Sequence, residues 1–164
     1  MSKVILKMGD DVSTDIIYPG RFMATVLPSE TPQYAFADVT AFNSRLKNKE
    51  VKSGSVVVAG GNFGCGSSRE QAASCLKGWE LTIIARDFAR IFLQNSINLG
   101  LNTIICPDIE ADEGDELTIT ATQVVNTTTG KSFGIVALPR ARQAIIDAGG
   151  LIPYTRQRLL QEVK

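Results

Sequence analysis

One stretch near the middle of the chain, VVVAGGNFGCGSSREQAASCLKG, constrains the fold more than any other. It opens with an apolar run, Val56–Ala59, which predicts a buried strand. Four glycines follow within residues 60–66, and they allow the backbone to turn tightly and to approach a ligand closely. Ser67 and Glu70 then have the spacing of a capping box. The sequence therefore predicts a helix over residues 68–77, ended by a glycine.

A strand, a glycine-rich loop and a helix start in succession are typical of an anion site. The free N–H groups of a helix N-terminus and the helix dipole both favour negative charge. Arg69 adds a cation whose guanidinium fork suits a carboxylate or a phosphate. The stretch has neither the Lys-Ser/Thr of a P-loop nor the spacing of a dinucleotide fingerprint. The alternative interpretation is an ordinary strand-to-helix turn with a solvated Arg69.

Three stretches of the sequence resemble one known family. The string GGNFGCGSSREQA resembles the signature of the aconitase-superfamily swivel domain, and GDDVSTDIIYPGRFM and AIIDAGGLIPYT match the same family on either side of it. In length the chain is similar to the separate small subunit of the 3-isopropylmalate dehydratase and homoaconitase type. The resemblance covers essentially the whole chain. It departs from the family pattern at Gln71, where a histidine is usual.

The order of elements predicts an α/β protein with a mixed sheet and flanking helices. Strand, helix, strand, helix and strand follow one another over residues 56–106, which is typical of parallel pairing. Beyond residue 115 the pattern changes to antiparallel strands, and two helices, Pro139 to Ala148 and Tyr154 to Val163, end the chain. The mixture agrees with the aconitase-type swivelling β/β/α domain that the resemblance implies, with residues 1–164 as one domain.

Local signals predict further element boundaries. Lys3 to Lys7 has the pattern of a first strand. Asp38 is a plausible cap for the helical stretch from Ala35 to Leu46, and Asp87 for a helix that ends at Leu99 before a glycine.

Composition excludes several classes of function. Seventeen basic and seventeen acidic residues cancel, and no basic stripe marks a nucleic-acid partner. No apolar run is long enough to span a bilayer and the start of the chain lacks a signal-peptide core, so a cytoplasmic protein without membrane contact is expected. Cys65, Cys75 and Cys106 favour neither a disulfide framework nor a self-contained metal or iron–sulfur site. The chain has no histidine, the commonest general base and metal ligand.

The resemblance implies hydro-lyase chemistry that is shared between two subunits. Members of the family remove water from hydroxy acids and add it back, with a [4Fe–4S] cluster on a separate large iron–sulfur subunit as the Lewis acid. By this resemblance Ser67 would be the alkoxide base that takes a proton next to the substrate carboxylate. Ser68 and Arg69 would bind a carboxylate of a hydroxy dicarboxylate. Asp15 and Arg21 would complete the site.

The residue types suit these roles to different degrees. A serine alkoxide needs positive potential, which a helix N-terminus and the neighbouring Arg69 would supply. From the residues alone, Asp15 is better explained as a turn residue, and Arg21 equally well as a solvated loop charge.

Substrate choice is expected to depend on the run Phe22-Met23-Ala24-Thr25. By resemblance this loop reaches the variable group of the substrate, and members resembling homoaconitase carry an arginine in it. Here the run has no charge, so a third carboxylate buried against it would have no charged partner. An unpaired buried charge costs several kcal/mol. An alkyl-substituted malate of the isopropylmalate type is therefore expected. The alternatives are a methylmalate, 2,3-dimethylmalate or homoaconitate hydro-lyase and, in another class, a non-catalytic anion-binding module.

Overall fold

The computed structural model describes residues 1–162, in which helices and strands alternate along the first two thirds of the chain. The strands are β1 (Ser2–Lys7), β2 (Val56–Ala59), β3 (Thr82–Ala85), β4 (Asn102–Ile105), β5 (Glu116–Ile119), β6 (Gln123–Asn126) and β7 (Lys131–Gly134). The α-helices are α1 (Thr14–Ile17), α2 (Thr40–Lys47), α3 (Gln71–Gly78), α4 (Arg90–Leu99), α5 (Arg140–Asp147) and α6 (Leu151–Glu162). Two short 3₁₀ helices, Gly20–Phe22 and Thr31–Tyr34, lie between α1 and α2.

All seven strands form one mixed sheet in the order β4-β3-β2-β1-β5-β6-β7. β1 to β4 pair in parallel, because a crossover with a helix returns the chain to the same edge each time. β5 pairs antiparallel with β1, and the antiparallel order continues through β6 to β7. The predicted α/β class with a mixed sheet and flanking helices is confirmed.

The central parallel strands are buried on both faces, as their continuous apolar runs predict. Val57 and Ile83 pack into a core that the helices cover. Val56 and Ile84 pack into a second core on the other face. There they meet side chains of the antiparallel strands, namely Leu117, Val124 and Phe133.

The sheet curls so that its two ends approach each other. Just after β7, the backbone N–H of Val136 donates to the carbonyl of Ile105 in β4 at 2.9 Å. The second core is thus enclosed by the sheet itself, and the helices α3 and α4 remain on the first face, next to the loop that follows β2.

The helices within residues 1–162 do not include one with the length and apolar character needed to span a bilayer.

The predicted start of α3 is wrong. The helix begins at Gln71 instead of Ser68, and Ser67 does not cap it. The backbone N–H and the hydroxyl of Ser67 are engaged by Thr14 and Arg69, so residues 67–70 stay in the loop. Local capping is replaced here by contacts with a segment that is distant in sequence.

Two further predicted caps are also wrong. α2 begins at Thr40 without a side-chain cap, because the Asp38 carboxylate pairs with Arg21. α4 begins at Arg90, because the Asp87 carboxylate accepts from the backbone N–H of Asn62 at 2.6 Å.

The carboxy-terminal helix starts earlier than predicted. α6 begins at Leu151 and includes Pro153 in its first turn, where the missing N–H of proline costs no helical hydrogen bond. The predicted end at Val163 lies outside the described residues. The antiparallel strands predicted beyond residue 115 are confirmed, and the last of them, β7, ends at Gly134.

Gly64 is the position where the loop after β2 most requires glycine. Its φ is +82°, and a Cβ there would lie 2.1 Å from Cγ of Phe92 in α4. We expect Gly64→Ala to lower the free energy of unfolding by about 2–5 kcal/mol, from the positive φ and from overpacking together. Denaturant unfolding measures this difference.

The matched control is Gly54→Ala, where φ is +77° and nothing lies within 4 Å of the added Cβ. It should lose about 1–2 kcal/mol, the cost of the left-handed conformation alone. Equal losses in the two variants would show that the contact with Phe92 does not restrict the loop.

Candidate functional site

The loop after β2 and the start of α1 form one continuous structure. The backbone N–H of Gly64 donates to the carbonyl of Val12, and that of Thr14 donates to the carbonyl of Cys65, both at 2.7 Å. β1 and β2 are parallel neighbours, so their carboxyl ends bring the two following loops to the same edge of the sheet. The topological edge where α/β proteins commonly bind ligands therefore contains two of the stretches that predicted a site.

Thr14 fixes the position of Ser67. The Thr14 side chain is buried, and its Oγ1 accepts from the backbone N–H of Ser67 at 3.1 Å. The two hydroxyl oxygens lie 3.5 Å apart. Ser67 itself is exposed. Its backbone is therefore fixed by the buried Thr14, while its side chain is accessible to solvent.

Arg69 connects Ser67 to Asp15. Its Nε donates to Oγ of Ser67 at 2.7 Å. Its Nη1 donates to Oδ1 of Asp15 at 2.8 Å and to the carbonyl of Tyr18 at 2.7 Å. The Arg69 side chain is 11% exposed, whereas that of Asp15 is 68% exposed. The guanidinium is therefore a fixed cation directly beside the serine oxygen.

One nitrogen of Arg69 remains available. Among residues 1–162, Nη2 has no hydrogen-bond partner, while Nε and Nη1 are both engaged. A ligand could therefore bind Nη2 alone. It could not bind two free nitrogens of the guanidinium at once, because the other two are already engaged.

Asp15 is held in its ionised form by this arrangement. The hydrogen bond from Arg69 lowers the pKa of the Asp15 carboxyl below its ordinary value, and the backbone N–H of Gly20, at 2.8 Å, lowers it further. Asp15 is more than a turn residue, since it orients Arg69.

Among the described residues, Arg21 forms no hydrogen bond or ion pair with Ser67 or Arg69. Its two terminal nitrogens bind the Asp38 carboxylate at 3.0 and 2.5 Å, and its guanidinium lies 4.6 Å from the Phe22 ring centre. The hydrogen bond with Asp38 raises the pKa of Arg21, and the charge of Asp15 contributes to the same shift. The two arginines therefore lie in one neighbourhood without sharing a partner.

Ser68 is exposed, and its backbone carbonyl accepts from Nδ2 of Asn95 in α4 at 3.2 Å. Asn95 thereby holds the outer part of the loop. Sequence reasoning missed Asn95 and Thr14. Thr14 lies in the polar turn GDDVSTD, but nothing local distinguishes it from its neighbours.

The loop Phe22–Thr25 is a compact turn beside this site. The Phe22 ring stacks on Tyr34, with ring centres 4.1 Å apart. The buried hydroxyl of Tyr18 donates to the carbonyls of Phe22 and Thr25 at 3.1 and 3.3 Å. Met23 and Ala24 are exposed at the tip of the turn.

The thiols of Cys75 and Cys106 are poorly suited to bind an iron–sulfur cluster or a metal ion. Burial raises the pKa of the Cys75 thiol strongly and that of Cys106 to about 11, which disfavours the thiolate that a metal needs. Cys65 is half-buried in the glycine-rich loop. Within residues 1–162, no group of three or more metal-ligating side chains comes together.

Comparison with known proteins identifies a family. A sequence model of the aconitase C-terminal domain matches residues 10–108, which include Asp15, Arg21 and the loop after β2. The small subunit of a 3-isopropylmalate dehydratase from Methanosarcina mazei is 44% identical over 155 residues, which covers 92% of this chain and 93% of that protein. The small subunit of an isopropylmalate/citramalate isomerase from Methanocaldococcus jannaschii is 40% identical over 162 residues, with 96% and 94% covered.

Solved structures agree with this result. The crystal structure of a 3-isopropylmalate dehydratase from Methanocaldococcus jannaschii matches with a TM-score of 0.88 at 39% identity, covering 98% of this chain and 96% of that one. Relatives at 40% identity also include the small subunits of a 2,3-dimethylmalate dehydratase and of a methanogen homoaconitase.

The chain therefore belongs to the aconitase superfamily, as a swivel domain. Within the superfamily it is a small subunit of the 3-isopropylmalate dehydratase and homoaconitase type, and so part of a dehydratase or isomerase. The predicted family and the hydro-lyase class are confirmed. The relatives differ in the substrate that their names give.

The Asp15–Arg69 pair predicts a pH dependence. Because the pKa of Asp15 is lowered, the pair adds stability above the ordinary carboxyl pKa of 3.8 and loses it as the pH falls through the lowered value. We expect an NMR titration of the Asp15 carboxyl carbon to give a midpoint below 3.8, and Arg69→Gln to move it back toward 3.8.

Glu110 is the internal reference, because Lys131 lowers its pKa in the same way. Its midpoint should be unchanged in Arg69→Gln and should rise in Lys131→Gln. If Arg69→Gln leaves the midpoint of Asp15 unchanged, the ion pair seen in the structure does not form in solution.

Proposed function

We propose that this chain is the small subunit of an alkylmalate hydro-lyase in which Ser67 is the catalytic base. The main support is the 2.7 Å hydrogen bond from Arg69 Nε to Ser67 Oγ. A serine oxygen is neutral as a hydroxyl and negative as an alkoxide, so a permanently charged donor stabilises the alkoxide more than the hydroxyl. Arg69 is mostly buried, which strengthens this interaction relative to one in open water.

The proton transfer follows from this arrangement. As the alkoxide, Ser67 would take the proton from the substrate carbon next to a carboxylate, and it would return that proton in the hydration direction. Nη2 of Arg69 and the hydroxyl of Ser68 would bind the carboxylate beside it. Thr14 would keep the serine oxygen in place, since it holds the backbone N–H of Ser67.

A large subunit would complete the site. Ser67 and Ser68 are exposed, and an exposed alkoxide is protonated by water, so a surface that excludes water is needed. The names of the relatives as small subunits support such a partner. Cys75 and Cys106 are poorly suited as ligands, and no group of three or more metal-ligating side chains comes together within residues 1–162. This supports a [4Fe–4S] cluster held by that large subunit, where it would supply the Lewis acid for the substrate hydroxyl.

Arg21 would bind the second carboxylate of the substrate. Its present partner, Asp38, has a side chain that is 59% exposed, and that of Arg21 is 55% exposed. Water screens exposed ion pairs and makes them weak, so exchange of Asp38 for a substrate carboxylate would cost little.

The uncharged turn Phe22–Thr25 supports an alkyl substituent on the substrate. Met23 and Ala24 present apolar atoms at its tip, and a buried alkyl group gains about 0.8 kcal/mol per CH₂. Isopropylmalate, citramalate and 2,3-dimethylmalate meet this condition, and homoaconitate does not. Family membership favours this hydro-lyase over a non-catalytic anion-binding module.

Ser67→Ala tests the role of the base. The chain is combined anaerobically with its large subunit, iron and sulfide, and hydration and dehydration rates are measured. The variant should lose about 10²–10⁴ in kcat, because the proton acceptor is absent. The small subunit without its partner should show no turnover.

The control variant is Ser132→Ala, which removes an exposed hydroxyl from β7. It should keep the wild-type rate. A folded Ser67→Ala enzyme with near-normal turnover, or turnover by the small subunit alone, would contradict the proposal.

Ala24→Arg tests the role of the turn in substrate choice. An arginine at the tip would offer a partner to a third carboxylate and a polar surface to an alkyl group. We expect kcat/KM for homoaconitate to rise relative to isopropylmalate by about tenfold or more, the range that one charged contact supplies. Steady-state assays on both substrates measure the ratio.

Ala121→Arg is the matched control, because Ala121 is an exposed alanine in the β5–β6 turn. It should leave the ratio unchanged. A wild-type enzyme that prefers homoaconitate by tenfold or more would overturn the substrate assignment.

A further inference from the structure

The backbone carbonyls of the Phe22–Thr25 turn are held by three donors. The carbonyl of Phe22 accepts from the Tyr18 hydroxyl at 3.1 Å and from the backbone N–H of Thr25 at 2.9 Å. The carbonyl of Thr25 accepts from the same hydroxyl at 3.3 Å. The carbonyl of Met23 accepts from Nε2 of Gln71 at 3.2 Å. The turn is therefore ordered by these hydrogen bonds without a bound ligand.

Tyr18 and Gln71 hold the turn in different ways. Tyr18 is fully buried and packs edge-on against Phe22 and Tyr34, so it belongs to the core. Gln71 is half-buried at the first position of α3 and reaches the turn from the outside. The Gln71 hydrogen bond joins the turn directly to α3, the helix that begins where the Ser67 loop ends.

This contact joins the two parts of the proposed site. Gln71 follows Ser67 by four residues and Arg69 by two, and α3 is anchored in the core through Ala72, Ala73 and Leu76. A shift of the turn relative to α3 would change the distance between the alkyl-binding surface and the base. The hydrogen bond from Gln71 opposes such a shift.

We propose that Gln71 is a positioning residue for substrate choice, which fixes the Phe22–Thr25 turn relative to Ser67. This inference rests on the proposed function and adds a determinant outside the turn itself. A neutral amide donates at every pH at which the protein is folded, so the position of the turn is independent of pH. An imidazole at this position would donate from both nitrogens only when protonated.

Gln71→Met removes the donor and keeps a side chain of similar length without charge. In the reconstituted enzyme, we expect the preference between isopropylmalate and citramalate, measured as the ratio of kcat/KM for the better substrate to that for the poorer one, to fall about three- to tenfold. That loss lies below the 10- to 200-fold range that one methylene supplies in a well-fitted pocket. KM should account for most of the change, and kcat on the preferred substrate should stay within about threefold, because Ser67 and Arg69 are untouched.

Gln33→Met is the matched control. Gln33 also donates to a backbone carbonyl, that of Glu30, at 3.0 Å, but outside the Phe22–Thr25 turn. Its substitution should leave the substrate ratio unchanged. Equal effects of the two variants would show a general loss of stability and would overturn the inference.

Gln71→His tests rescue by a titratable donor. The imidazolium donates from both nitrogens and the neutral ring still donates from one. Substrate discrimination should therefore be closer to that of wild type than in Gln71→Met, and it should weaken only in part as the pH rises through about 6.5. Wild type should show no such step in discrimination. A pH-independent, Met-like ratio in Gln71→His would count against hydrogen bonding as the cause.

Hydrogen exchange on the small subunit alone separates this inference from the proposed function. The Thr25 amide, which donates within the turn, should exchange about three- to tenfold faster in Gln71→Met and at the wild-type rate in Gln33→Met. Unchanged Thr25 exchange, or a substrate ratio within twofold of wild type in an active enzyme, overturns the positioning role and leaves the hydro-lyase intact. An inactive wild-type reconstitution overturns the proposed function. The exchange rate of the Thr25 amide would then still show whether Gln71 holds the turn in place.

Discussion

The contact between the loop after β2 and the start of α1 is the constraint on which the site depends. Two backbone hydrogen bonds of 2.7 Å join these segments, and the buried Thr14 side chain adds a third contact at Ser67. The parallel pairing of β1 and β2 makes this possible, since both loops leave the sheet at the same edge. Residues that are more than fifty positions apart in sequence thereby come within hydrogen-bond distance. The antiparallel half of the sheet contributes a second core and no residue of the proposed site.

Charge is distributed unevenly across the site. Arg69 is mostly buried and has one carboxylate partner, Asp15, which is mostly exposed. Water screens the exposed carboxylate strongly and the buried guanidinium less. Asp15 therefore orients the cation without cancelling its field at Ser67. The serine oxygen binds Nε of the guanidinium, and the Asp15 carboxylate binds a different nitrogen, Nη1. A serine base is favoured by this asymmetry, because the stabilising charge is near the oxygen and the compensating charge faces solvent.

Much of the fold could be predicted from the sequence, and part of the site could not. The strand at Val56–Ala59 is found at the predicted residues, because an apolar run between glycines is a local signal. Ser67 was expected to cap α3, but contacts with a distant segment displaced the local motif and moved the helix start to Gln71. Thr14, Asn95 and the partner of Arg21 were missed for the same reason. Their roles arise from pairs 17 to 53 residues apart, which no local pattern records.

The exposed Ser67 and the Phe22–Thr25 turn lie on the same small chain, and this has a consequence for how such enzymes diversify. Under the proposed division of labour, the parts that select a substrate and deprotonate it would be inherited together, separately from the cluster. A duplicated gene for the small subunit could then change the substrate range of an existing large subunit without rebuilding a metal site. Water would also keep the exposed Ser67 protonated in a subunit that has not assembled. Surplus copies of the small subunit would therefore not act on metabolites.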